Sequence, residues 1–222
     1  MTYLNRRGFN PAPALAPALT FALALPLLLA ACGGGGGSPG ANTNPPAPPA
    51  GSSARLDAYV GTWASSCASH AIDTATIART PGSTTSLTIA VTTNYYGNTA
   101  CTGDVIATQT WSAPATATYA GTVASNVVLT AGAAPQAATV DRVTAQLPQR
   151  SVTLTGAYVS HKIVDAQPNW CIEYAGSTVC VPDRLYPAES APFDGLAVVG
   201  TDMVEVKANG ANYDAVERFT KR

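Results

Sequence analysis

The sequence predicts an all-β fold for residues 54–222: a single antiparallel β-barrel, with a β-sandwich as the alternative. Three observations carry that expectation. Apolar and polar side chains alternate with a period of two along many short segments, which puts alternate residues on opposite faces of a strand. Thr, Val and Tyr, whose shapes suit a pleated surface, are abundant in those segments. Turn-forming residues separate them at hairpin spacing, at Pro81-Gly82, Gly97-Asn98, Ala131-Gly132 and Pro148.

The chain ahead of this domain has a different character. Arg6 and Arg7 make a positive segment, and no charged residue follows between Ala14 and Ala31. That run is too short for a permanent span and is interrupted by Pro17 and Pro26, so residues 1–31 read as a secretory signal peptide. Its end, Leu29-Ala30-Ala31-Cys32, resembles the lipobox of bacterial lipoprotein precursors. The resemblance implies that Cys32 is diacylated, becomes the new N-terminus and receives a third acyl chain, palmitate or similar. Each chain contributes roughly 0.8 kcal/mol per buried CH₂, so two or three anchor a protein firmly. Gly33 stands where an inner-membrane retention signal carries Asp, so the expected place is the cell outer membrane, on its periplasmic face. Asn5-Arg6-Arg7-Gly8-Phe9 also resembles a twin-arginine export signal, although paired arginines are common at this position and the ordinary secretory route is the expectation. Residues 32–53 supply the lipidated cysteine and a flexible Gly/Pro-rich linker, which lacks the large apolar side chains that offset the entropy of ordering a chain. As a coil this linker spans about 25 Å, and fully drawn out about 70 Å.

Residues 54–222 have the length of one domain with its own core. Without Arg6 and Arg7 the formal charge falls from −1 to −3, and no basic run interleaved with aromatics remains, so nucleic acid is not an expected partner. Along the chain, residues 86–92 place Leu87, Ile89 and Val91 on one face. In 105–111, Val105, Ala107, Gln109 and Trp111 alternate with Ile106, Thr108 and Thr110, and 115–123, 138–147 and 151–159 continue the pattern.

Four cysteines follow Cys32, an even number that in an oxidising compartment allows two disulfides in three connectivities. If Ala175-Gly176 is a two-residue turn, Cys171 faces Cys180 at a non-hydrogen-bonded pair, with Cα atoms about 4.5 Å apart and within disulfide reach. Cys67 is then left for Cys101. A metal site is not expected, because no paired Cys or His spacing supports one.

Residues 56–67, LDAYVGTWASSC, resemble the opening of the lipocalins and the wider calycin group, with Gly61 and Trp63 in the motif positions. The resemblance implies a lipocalin-like barrel closed at one end by Trp63, beneath an arginine from near the C-terminus. Arg218 is the candidate for that place. The rest of the lipocalin signature is absent.

Chemistry is sparse. Only His70 and His161 are present, and no nucleophile, zinc or phosphate motif assembles, so no enzyme and no cofactor are expected. On a strand, His161 and Asp165 would lie about 13 Å apart, too far for a couple. Tyr95, Tyr96, Trp111, Tyr119, Tyr158 and Trp170 are candidates to line a pocket, or else to pack as cross-strand pairs. The expected function is therefore a lipid-anchored, non-enzymatic binding module for a small apolar or lipid ligand. The alternative is an envelope structural or assembly factor that meets another protein through its β surface.

Overall fold

The computed structural model describes residues 52–222; the expected signal peptide, Cys32 and the linker up to residue 51 lie outside the described residues. A short helix α1 (Ser52–Asp57) leads into β1 (Gly61–Ser65), β2 (Ala71–Arg79), β3 (Ser86–Tyr96), β4 (Val105–Trp111) and β5 (Ala115–Val128). There follow β6 (Gln136–Leu147), β7 (Val152–Thr155), β8 (Val159–Val164), β9 (Gln167–Tyr174) and β10 (Ser177–Pro182). The chain ends with β11 (Glu189–Val199), β12 (Asp202–Asn209) and β13 (Asn212–Lys221).

The fold is all-β and antiparallel, and eight strands close into a ring. Its order is β1, β2, β3, β5, β6, β11, β12, β13 and back to β1. Closure removes the free sheet edges that would otherwise template aggregation. β3 forks: residues 86–89 pair with β5 inside the ring, whereas 92–96 pair with β4, which in turn pairs with β7. β8, β9 and β10 form a separate three-stranded sheet. Ile172 of β9 packs with Ala107 of β4 and with Val152 and Leu154 of β7, which fixes that sheet to the outside of the ring.

The period-two reading finds the core. Leu87 and Ile89 are buried in the ring with Ile77, Ala115, Ala117, Val143, Met203 and Phe219. A second cluster, Val127, Val140, Ala197, Val204 and Val206, fills the stretch where β5 meets β13 in a short parallel pairing. Only about 30 Å³ is left open between Ala115, Ala117, Met203 and Phe219, on the order of a single water.

Two expectations need correction. The segment 151–159 is not one strand but ends as β7 at Thr155 and restarts as β8 at Val159. Gly156 marks the break, with φ of 148° and no space for a side chain, since a Cβ there would stand 2.5 Å from the Ile106 carbonyl oxygen. Trp63 lies at the start of the ring as expected, but Arg218 does not cover it. Lys221 does, with its ammonium 5.2 Å from the indole centroid. The register explains the exchange: Trp63 faces Lys221 across β1 and β13, whereas Arg218 has the opposite parity and pairs with Asp202. Lys221 is exposed, so the cation–π contact contributes about 0.5–1 kcal/mol.

α1 is held by one carboxylate. Asp141 of β6 is 2% exposed and accepts from Arg55 Nε at 2.7 Å, Arg55 Nη2 at 3.1 Å, Tyr59 Oη at 2.7 Å and Thr122 Oγ1 at 2.7 Å. Burial, and then the hydrogen bond to Asp141, push the Tyr59 phenol far above its usual 10, so it remains a donor throughout the physiological range. Trp63 Nε1 donates to the Tyr59 carbonyl at 2.7 Å, which joins this latch to the ring core. Asp141→Ala should therefore cost about 2–3 kcal/mol. That is less than for a fully enclosed ion pair, because the Arg55 side chain is 36% exposed. Urea denaturation of the two proteins measures the difference.

Candidate functional site

A cleft of about 360 Å³ opens between the ring and the attached three-stranded sheet. One lip comes from the ring side: Ser69 and His70 before β2, and Tyr95, Tyr96 and Gly97 at the end of β3. The opposite lip is the β9–β10 hairpin, with Tyr174, Ala175, Ser177 and Thr178. Ile106, Ile172 and Val179 supply the apolar floor. Its size falls near the lower end of the range for small-molecule clefts, about 300–1,000 Å³.

Both disulfides brace this cleft. Cys67–Cys101, with Cα atoms 5.7 Å apart, ties the Ser69-His70 lip to the loop that leaves Tyr96-Gly97. Cys171–Cys180, with Cα atoms 4.1 Å apart, crosses the hairpin behind Tyr174 and Ser177. The hairpin has the register that its two-residue turn demands, Tyr174 facing Ser177 and Cys171 facing Cys180. Ala175 and Gly176 both take positive φ, 48° and 81°, which suits the right-handed twist of the flanking strands. In the chain-entropy model Cys67–Cys101, which closes the longer loop, contributes roughly 4 kcal/mol and Cys171–Cys180 roughly 2.5 kcal/mol.

Two tight turns shape the lips. Ser69 and His70, both at positive φ, reverse the chain between Ala68 and Ala71, which exchange two backbone hydrogen bonds, and Ala175-Gly176 does the same between β9 and β10. A second close fit joins the lips: the Tyr174 ring lies on the bare face of Gly97, where a Cβ would come within 2.6 Å of it. Tyr158 meets Tyr174 edge-on with ring centroids 4.8 Å apart.

The lining carries no Asp, Glu, Lys or Arg. Tyr95 donates to Gln109 Oε1 at 2.8 Å, and burial, helped by the negative charge of Asp73, raises its phenol well above 10. The hydroxyls of Ser69, Tyr96, Tyr174, Ser177 and Thr178 and the imidazole of His70 make no side-chain hydrogen bond to a described residue.

Of the aromatic residues singled out in the sequence, only Tyr95 and Tyr96 line the cleft. Tyr158 stands just behind it, whereas Trp111 and Trp170 pack between β4, β7 and β9, and Tyr119 packs against the ring core. Tyr174 and His70 are the additions from the fold. Tyr174 shares the face of Ile172 by strand alternation, but that this face meets β3 is a long-range fact. His161 pairs with Asp183 at 2.8 Å, not with Asp165, and lies edge-on to Trp170. On the side of Trp111, the 5% exposed Arg150 sits with its guanidinium 4.8 Å from the Trp111 ring centroid and 5.7 Å from that of Tyr186. Its backbone exchanges two hydrogen bonds with Tyr186, which pins the segment returning from the outer sheet to the ring.

Comparison with known proteins returns nothing: no family model, no curated protein and no solved structure matches this chain.

Gly97→Ala should drive the Tyr174 ring out of place and cost about 1–3 kcal/mol, the range for overpacking. A fall in the thermal midpoint together with an altered near-ultraviolet tyrosine signal is the expected readout.

Proposed function

We propose that this chain is an outer-membrane lipoprotein of the periplasmic face, tethered through Cys32, whose folded part is a non-enzymatic binding module. The lipobox Leu29-Ala30-Ala31-Cys32 supports the anchor, and two disulfides fit a compartment outside the cytosol. The eight-strand ring in sequential order, with Gly61 and Trp63 opening its first strand and a cation over the indole, supports a lipocalin-like barrel.

The observation that carries the binding role is the convergence of both disulfides and two tight turns on one uncharged cleft. A lipid chain does not fit the 30 Å³ left inside the ring, so the ligand belongs in the cleft and is small, uncharged and apolar on at least one face. A single imidazole without a carboxylate beside it suits holding a ligand more than moving a proton.

The second reading, a protein-binding envelope factor, is favoured by the open edge of β8. Ile163 is 69% exposed there, and Leu185 in the segment after β10 is 61% exposed. Metabolic labelling with an alkyne fatty acid tests the anchor. The wild-type protein should be labelled and sediment with outer membranes, and Cys32→Ser should be unlabelled. Equal membrane association of the two proteins would overturn the anchoring. Loss of a co-purifying envelope protein on Ile163→Asp, with the cleft unaffected, would favour the second reading.

A further inference from the structure

We infer that the cleft binds a neutral saccharide of one or two rings; this rests on the cleft being a ligand site. Two features separate a sugar from a purely apolar molecule.

The first is the pattern of the lining. A pyranose offers a face of C–H groups and a rim of hydroxyls, each a donor and an acceptor. Tyr96 and Tyr174 contribute aromatic surface for such C–H groups, and Ile106, Ile172 and Val179 close the apolar side. Around them stand Ser69, Ser177, Thr178 and His70, with side chains uncommitted to other described groups. An apolar ligand would strip water from these groups without replacing its hydrogen bonds, at a cost of about 1–3 kcal/mol for each group left unpaired. A ligand with its own hydroxyls at the rim avoids that loss.

Charge is the second feature. No cationic or anionic side chain lines the site, so a uronic acid, a phosphosugar or an amino sugar with a free ammonium would surrender hydration with no counter-charge in return. An N-acetylated or unsubstituted sugar would not.

The test uses the full lipidated chain in a detergent without a sugar headgroup, with saturation-transfer NMR and calorimetry. The probes are cellobiose, the N-acetylglucosamine β-1,4 dimer, glucuronate and indole. Binding of at least one neutral disaccharide and none of glucuronate is expected. Tyr174→Ala and Tyr96→Ala should each weaken that binding about tenfold, Tyr174→Phe far less, and Ile163→Ser, away from the cleft, not at all. Intact disulfides by mass spectrometry and an unchanged far-ultraviolet spectrum show that each variant is folded. Binding of indole that Tyr174→Ala abolishes, with no disaccharide bound, would overturn the sugar and leave the cleft standing. Disaccharide binding indifferent to both tyrosines would place it elsewhere and overturn the inference, and binding of no probe would overturn the inference and the cleft together.

Discussion

Trp63, buried between α1 and the ring core, takes up space that a ligand would need. Its indole N–H is bonded to Tyr59, its face carries Lys221, and Phe219 and Met203 fill the room beyond it. A ring of eight strands can be closed by its own side chains or can hold a ligand, and this one is closed. The cleft lies instead on the outside, between the ring and strands that do not belong to it.

Those strands enter at two points in the sequence. β4 interrupts the passage from β3 to β5, and β7 to β10 interrupt that from β6 to β11. Because β3 divides its pairing between β5 and β4, the first insertion leans away from the ring and opens a surface on which the second can pack. Ile172 and Arg150 hold the two insertions together from opposite sides of Trp111 and Tyr186. Both disulfides lie at the lips, beside the two tight turns that form them.

Local features were legible in the sequence to the degree that local chemistry decides them. Alternation located β4 to the residue and gave the inward face of β3, and turn geometry gave the register of β9 and β10 with its disulfide. The separation of β7 from β8 was missed because the clash that requires Gly156 involves Ile106, fifty residues earlier in the chain. Arg218 was preferred to Lys221 over Trp63 because the parity of a strand cannot be read before its partner is known. The Asp141 latch joins residues more than eighty positions apart, and no spacing rule connects them. Tyr174 and His70 carry no motif. Their meeting at one cleft follows only from the outer sheet folding back on β3.

The two bridges join cysteines that are neighbours in order, Cys67 with Cys101 and Cys171 with Cys180. Were the chain exported N-terminus first, with Cys32 acylated as proposed, each remaining thiol would emerge beside its proper partner before the next pair. Oxidation in order of arrival would then yield the native connectivity, with little demand on an isomerase to sort crossed pairs.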